Sequence, residues 1–202
     1  MQCVERFFVI TGGPGSGKTT LIEALEAAGF ARTVEAGRAV IQEQLASGGS
    51  AFPWKDPAAF AEKKLERDIR SYEEAKAQTG PVFFDRGIAD VVGYLRLCGL
   101  PAPAQMMKAA EDFRYHRRVF IAPPWREIYA QDAERKQDFD EAQRTYTAMV
   151  ATYTACGYEL VELPRASVEE RVRFVVSIIR SFPPTGPRGA RPDDRLRRES
   201  SA

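Results

Sequence analysis

Hydrophobic residues along the 202-residue chain form short continuous runs that alternate with longer amphipathic segments. The short runs are rich in β-branched and aromatic residues, which is typical of strands buried on both faces of a sheet. Strands are predicted at residues 7–10, 31–36, 82–85, 119–122 and 158–163. Helices are predicted at residues 19–28, 37–46, 57–78, 88–97, 104–113, 139–155 and 168–179. This alternation predicts an α/β fold in which helices cover both faces of a parallel sheet.

A change in composition divides the chain near its C-terminal end. Residues 183–202 contain four prolines, five arginines and three acids, with one leucine as the only large apolar residue. Such a segment buries too little apolar surface to offset its ordering entropy, so we expect a disordered tail. The alternative is that its arginines dock on an anionic partner. Residues 1–182 have a length that suits one compact domain.

Charge, cysteine content and hydropathy indicate the expected partners and cellular compartment of the protein. The formal net charge of +1 creates no global field that would attract nucleic acid or anionic lipid, so neither is an expected partner. Three separated cysteines without a C-x-x-C pair fit a reducing compartment. No apolar run approaches the ~18 residues that span a bilayer, and the N-terminus lacks the apolar core of a signal peptide. We therefore expect a cytoplasmic protein.

The segment Gly12–Thr19 matches the P-loop pattern G-x-x-x-x-G-K-[ST] at every fixed position, between a predicted strand and a predicted helix. Its glycines let backbone N–H groups approach phosphate oxygens, and the next helix points its N-terminus at the same anion. Lys18 is expected to reach the β- and γ-phosphates, and Thr19 to bind Mg²⁺. No Asn-Lys-x-Asp guanine signature is present, which favours ATP. Residues expected to hold the nucleotide are Gly13, Pro14, Gly15, Ser16, Gly17, Lys18, Thr19, Thr20 and Arg126.

The third predicted strand ends in Asp85-Arg86, at the edge of the sheet where open α/β folds bind ligands. Asp85 is suited either to hold Mg²⁺ or to accept a proton from a substrate hydroxyl. Arg86 is suited to grip an anionic substrate or the transferring phosphoryl group. The alternative is a solvated strand end without a role. No second acid follows Asp85, which disfavours an efficient hydrolase.

Glu35 and Arg38 form a second candidate pair. Glu35 is expected to close the second strand on the same edge as Asp85, where an acid can act as the general base for a hydroxyl. Arg38 would then orient the negative group of an acceptor. The alternative is that both are surface charges. Three aromatic residues in and around the loops, Phe52, Trp54 and Tyr94, either line the acceptor pocket or fill the core.

A charged segment follows the fourth predicted strand and covers about residues 123–138. Positive side chains on such a segment can close over ATP as a lid, exclude water and stabilise charge in the transition state. We expect Arg135 to act in catalysis and Arg126 to contact the nucleotide. The alternative is a solvated helix with local ion pairs.

Taken together, several of these segments resemble a known family. They are the P-loop GGPGSGKTTL, then VEAGR, FFDRG, Pro-Pro-Trp and GYELVELP. Over about residues 5–180 the chain resembles a family of small bacterial ATPases that carries an AAA label and is related to P-loop kinases such as the ribosylnicotinamide kinase domain. The resemblance implies a three-layer P-loop NTPase sandwich with a five-stranded parallel sheet of order 2-3-1-4-5. It also implies an acceptor pocket beside the P-loop, a lid after strand four, and a likeness of Asp85-Arg86 to the acid–arginine pair of nucleoside and nucleotide kinases.

These observations favour an ATP- and Mg²⁺-dependent kinase that phosphorylates a small molecule. Lys18, Asp85, Glu35 and Arg135 are the expected catalytic residues, and Glu35, Arg38 and Arg86 are expected to contact the acceptor. The alternative is a slow ATPase or nucleotide-dependent switch without such an acceptor. A third hypothesis is a nucleic-acid-associated protein that uses the arginine-rich tail.

Overall fold

The structure is a computed structural model that describes residues 4–129 and 139–181. The strands are β1 (Phe7–Gly12), β2 (Ala31–Arg32), β3 (Val82–Asp85), β4 (Arg118–Ala122) and β5 (Glu159–Glu162). The helices are α1 (Lys18–Ala27), α2 (Ala36–Ser47), α3 (Pro57–Ala75), α4 (Ala89–Leu97), α5 (Ala104–Asp112), α6 (Phe139–Ala155) and α7 (Val168–Arg180). Single 3₁₀ turns lie at Val4–Arg6 and Arg126–Ile128. No helix in these two ranges is long and apolar enough to cross a membrane.

All strand pairs in the sheet are parallel, and their order is β2-β3-β1-β4-β5. This confirms the predicted fold class and strand order. The register places Ile10 of β1 beside Asp85 of β3, and Thr11 beside Ile121 of β4. The carboxyl ends of β1 and β3 therefore meet at one edge of the sheet, where the P-loop begins.

Alternating side chains of β1 pack into two separate apolar layers, since successive residues of a strand point to opposite faces. Phe7 and Val9 pack with residues of α3, α4, α5 and α6. Phe8 and Ile10 pack with residues of α1 and α7. Burial on both faces explains why the strands have continuous apolar sequences.

The second strand is shorter than the predicted range 31–36, because β2 is an edge strand that pairs only with β3. One further bond, from the Thr33 amide to the Phe83 carbonyl (2.9 Å), extends the pairing. The next side chain, Val34, is 68% exposed, so no buried face holds the chain against the sheet. Glu35 consequently does not close a strand as predicted; it is the N-cap residue of α2.

A buried carboxylate in α4 links three parts of the fold. Asp90 accepts hydrogen bonds from the Thr11 hydroxyl in β1 (2.6 Å), the Gly87 amide (2.9 Å) and the Tyr153 hydroxyl in α6 (2.5 Å). Its fourth donor is Nη1 of Arg86 at 3.2 Å. Burial favours the neutral carboxyl, but Arg86 and these donors outweigh it and lower the pKa of Asp90. The ionised carboxylate fixes the β3–α4 loop against β1 and α6.

We predict that Tyr153→Phe destabilises the fold, because it removes one donor from a buried carboxylate. The expected loss in the free energy of unfolding is about 1.5–3 kcal/mol, measured by urea denaturation. Tyr146→Phe is the matched control, since its hydroxyl donates to Glu162 at an exposed position. The control should lose no more than about 1 kcal/mol. Equal losses in the two variants would contradict the assignment of Asp90 as the structural link.

Candidate functional site

The P-loop connects β1 to α1 with a backbone that requires glycine at several positions. Left-handed φ values occur at Gly12 (132°), Gly15 (68°) and Gly17 (72°). A Cβ atom on Gly13 would lie 2.4 Å from the carbonyl oxygen of Ala142 in α6, and one on Gly15 would lie 2.5 Å from the ring of Tyr129. The loop is thus packed on its outer side, while Thr19 and Thr20 in the first turn of α1 are exposed.

Lys18, the first residue of α1, is 7% exposed, and its side chain contacts the P-loop. Its Nζ donates to the Gly13 carbonyl (2.5 Å) and contacts the Ser16 hydroxyl (3.3 Å). Burial, followed by the positive charge of Arg86, lowers the pKa of Lys18 to about 7, although Asp85 partly opposes this shift. The lysine therefore changes its charge near neutral pH unless an anion joins it.

Asp85 ends β3 beside the P-loop and is 7% exposed. Its Oδ1 atom has no hydrogen-bond partner within the two described ranges. Burial raises the pKa of Asp85, and the negative charge of Glu35 raises it further, against the opposing charges of Lys18 and Arg86. An unpaired buried carboxylate oxygen is costly, and a cation or a hydroxyl group at this position would satisfy it.

Arg86 adopts a left-handed backbone conformation with a φ of 69°, which is uncommon for a residue with a side chain. Its amide donates to the Ile10 carbonyl at 3.1 Å. Its guanidinium bridges two acids, with Nε 3.3 Å from Glu35 and Nη1 3.2 Å from Asp90. Burial opposes the charged form, but Glu35, Asp90 and Asp85 outweigh it and raise the pKa of Arg86.

Glu35 faces the same space from the start of α2. Burial alone would raise the pKa of Glu35, but Arg86 and Lys18 lower it, so the carboxylate is ionised at neutral pH. Arg38 lies 3.3 Å from Glu35 on the outer side and is 54% exposed. The structure thus brings Lys18, Glu35, Asp85 and Arg86 together at the carboxyl edge of the sheet, with Arg38 on the rim.

The aromatic residues predicted either to line an acceptor pocket or to fill the core differ in exposure. Phe52 is buried and stacks on Trp54, with ring centroids 5.1 Å apart. Trp54 is 71% exposed. Tyr94, which packs edge-on against Phe60, is half-buried. Phe52 is therefore a core residue, whereas Trp54 faces solvent.

The start of the predicted lid packs directly on the P-loop. The Tyr129 ring, which lies beside Gly15, meets Phe139 of α6 edge-on at 5.5 Å. The Arg126 guanidinium lies over the Phe139 ring at 4.3 Å. Arg135, the predicted catalytic residue of the lid, lies outside the described residues, as does the tail at 183–202.

A cleft of about 450 Å³ adjoins this segment. It is lined by Pro124, Arg126, Glu127, Phe139, Gln143, Tyr146, Thr147 and Arg165. Two of these residues, Arg126 and Arg165, are cationic. The start of α6 connects the cleft to the P-loop. Phe139 and Gln143 line the cleft, and the carbonyl of Ala142 between them lies beside Gly13.

Sequence reasoning missed one charged residue that touches the P-loop. Arg171 of α7 donates from Nη1 to the Gly17 carbonyl (3.3 Å) and from Nη2 to the Ser16 carbonyl (3.2 Å). A signal was present, because Arg171 precedes Val175 and Ile179 by four and eight residues and so shares their buried stripe. A charged residue at such a position indicates a specific buried partner.

The strand order and the glycine-rich loop define a P-loop fold with a five-stranded parallel sheet. A family model described as "AAA domain" matches residues 7–171. The chain belongs to this AAA domain family, which confirms the resemblance inferred from the motifs. No curated protein sequence matches the chain.

Solved structures share the fold at low sequence identity. A structure of the NadR protein in complex with NR matches with a TM-score of 0.66 and 17% identity, covering 92% of this chain and 53% of NadR. The chain therefore spans about half the length of NadR. Deoxyadenosine kinase from M. mycoides matches with a TM-score of 0.60 and 13% identity, covering 87% of this chain and 100% of that one. Thymidylate kinase from Ehrlichia chaffeensis matches with a TM-score of 0.57 and 14% identity, covering 86% of this chain and 97% of that one.

We predict that Lys18 titrates near pH 7 in the free protein, because burial and Arg86 disfavour its ammonium form. NMR of protein labelled with ¹³C-lysine should show one Cε resonance with a midpoint of about 7, well below the ordinary lysine value of about 10.4. The same resonance should be missing from Lys18→Met. A Lys18 midpoint at the ordinary value would contradict the environment described for the P-loop.

Proposed function

We propose that the protein is an ATP-dependent kinase that transfers the γ-phosphoryl group to a hydroxyl group of a small-molecule acceptor. The observation that carries the proposal is the convergence of Lys18, Glu35, Asp85 and Arg86, whose charges shift one another's pKa values beside the P-loop. The fold shared with deoxyadenosine kinase and thymidylate kinase supports the same reaction class. Fold likeness alone does not identify a substrate.

In this proposal the triphosphate lies in the cradle of backbone amides at residues 13–20. Lys18 would leave the Gly13 carbonyl, to which it is bonded in the free protein, and pair with the β- and γ-phosphates. That pairing would raise the pKa of Lys18 from about 7 and keep it charged. Arg126 and the adjoining cleft would hold the nucleoside part of ATP, and Arg135 would approach the transferring group from the lid.

The residues present fit a magnesium ion, although no group of three or more acids, histidines or cysteines gathers within the described residues. Mg²⁺ in phosphoryl-transfer sites is typically held by one or two protein oxygens together with phosphates and water. The unpartnered Oδ1 of Asp85 and the exposed Thr19 hydroxyl are oxygen donors of this kind. When bound, Mg²⁺ would offset negative charge on the phosphates.

We assign Glu35 as the general base and Asp85 as a metal ligand. A general base must be ionised before it can accept a proton. Arg86 and Lys18 lower the pKa of Glu35 and so favour its ionised form at neutral pH. Asp85 is disfavoured as a free carboxylate by burial, and a cation would relieve that cost. Arg86 would orient Glu35 through their contact and place positive charge beside the transferring group.

The charge pairing also favours a hydroxyl group over a phosphate as the acceptor. Arg86 is already bonded to Glu35 and Asp90, and Lys64 of α3 is bonded to Asp68 at 2.6 Å. Arg38 also pairs with Glu35, but it is 54% exposed on the rim and is the cation of the three that an anionic group could reach from solvent. A nucleoside or another unphosphorylated metabolite therefore fits the site better than a nucleoside monophosphate.

This function is tested by measuring Mg²⁺-dependent ADP formation with matched pairs of acceptors, each nucleoside beside its 5′-monophosphate, together with other hydroxylated metabolites. We expect turnover with an unphosphorylated acceptor. With that acceptor, Glu35→Gln should lower kcat by about 10²–10⁴-fold and leave the KM for ATP nearly unchanged. Acceptor-independent turnover would instead support the ATPase or switch hypothesis.

Glu43→Gln is the matched control for this variant. Glu43 lies on the same helix, carries the same chemical group and pairs with Arg67 at the surface, where its side chain is 58% exposed. Its kcat should stay within about twofold of wild type, because exposed ion pairs contribute little. Equal effects of the two substitutions would refute Glu35 as the base.

A further inference from the structure

Arg171 is a buried cation whose charge is not matched by an acid of the described chain. The residue is 2% exposed, and its Nε atom is buried without a hydrogen-bond partner in those ranges. Burial is the cause that lowers its pKa. Its bonds go to two neutral carbonyl groups of the P-loop, those of Ser16 and Gly17. A buried charge without an opposite charge costs several kcal/mol, which carbonyl dipoles offset in part.

The same bonds fix the direction of the P-loop amides. Each peptide unit is planar and trans, so its carbonyl and its N–H point in opposite directions. Arg171 contacts the carbonyls of Ser16 and Gly17, and the Gly17 carbonyl also accepts the Leu21 amide at 3.2 Å, so the N–H groups of Gly17 and Lys18 point away from Arg171. These are the amides that a phosphate in the cradle would meet.

Gly17 also makes room for this contact. A Cβ atom on Gly17 would lie 2.6 Å from Nη1 of Arg171, and the φ of Gly17 is 72°. Glycine at this position therefore allows both the left-handed turn of the loop and the close contact with Arg171. The two positions are separated by 154 residues, so α7 and the P-loop form one unit at this contact.

We propose that Arg171 is a positioning residue for phosphate binding, which orients the Gly17 and Lys18 amides and carries a positive charge that is balanced when phosphates occupy the loop. Together with the N-terminus of α1, it gives the empty loop positive charge that no acid of the described residues pairs with directly. The bound anion supplies the opposite charge. This inference rests on the proposed function only in that the anion is the phosphate chain of a nucleotide.

The test compares Arg171→Met with the wild-type protein, because methionine keeps much of the volume and removes the charge and the donors. Binding of Mg·ADP and of magnesium pyrophosphate is measured by calorimetry, and unfolding by thermal melts without ligand. We expect both ligands to bind at least about tenfold more weakly, whereas the melting temperature of the free protein stays the same or rises. A residue that only braces the fold would give the reverse: a lower melting temperature with unchanged affinity.

Two further variants keep the test decisive. Arg173→Met removes a charge from an exposed position of the same helix and should leave both affinities unchanged. Arg171→Lys keeps the positive charge but replaces the guanidinium with one ammonium group. It should fold, and its affinity for pyrophosphate should lie between those of the wild type and Arg171→Met. If Arg171→Met does not fold, wild-type affinity in Arg171→Lys overturns the proposal.

These experiments use no acceptor, so they separate the two proposals. Normal phosphate binding that depends on Arg171, together with failure of every acceptor, would overturn the kinase assignment and leave this inference standing. Turnover of an acceptor, together with wild-type affinities in Arg171→Met, would overturn this inference and leave the kinase assignment standing.

Discussion

The buried carboxylate of Asp90 is the interaction on which the geometry of the candidate site depends. It collects hydrogen bonds from β1, from the β3–α4 loop and from α6, and it also fixes one side of Arg86. Arg86 can then hold an unfavourable left-handed conformation and present its remaining donors to Glu35. A buried network of this kind is stable only when its polar groups are hydrogen-bonded, and here the bond to Arg86 also positions a member of the candidate site.

The charges around the P-loop fall into two groups with different consequences. On the proposed acceptor side, Arg86 and Lys64 are each bonded to acids, so their positive charges are already matched. On the nucleotide side, Lys18 and Arg171 are bonded to carbonyl or hydroxyl oxygens instead. In the empty site Arg171 is thus a cation without a direct acidic partner among the described residues, and Lys18 has a pKa of about 7; a triphosphate would balance the first and keep the second charged. This contrast is the physical basis for assigning the two sides to an anionic donor and an uncharged acceptor.

The sequence predicts the parts of this arrangement that depend on local pattern. The P-loop follows from its glycine spacing, and the buried strands follow from continuous apolar runs such as 82–85, so the sheet order expected from the family resemblance is confirmed. The pairing of Arg86 with Glu35 depends on how a short edge strand leaves β3, which apolar pattern does not specify. Arg171 was overlooked because a charged residue in an amphipathic helix is usually solvated, and its partners lie 154 residues away.

In the proposed reaction, the phosphoryl group of ATP is transferred to a hydroxyl group and not to water. The most direct test is ³¹P NMR of the protein with Mg·ATP and a mixture of unphosphorylated nucleosides and sugars. We expect a new phosphomonoester resonance that grows in step with ADP and is absent from Lys18→Ala. Growth of inorganic phosphate in step with ADP, without any ester resonance, would contradict it.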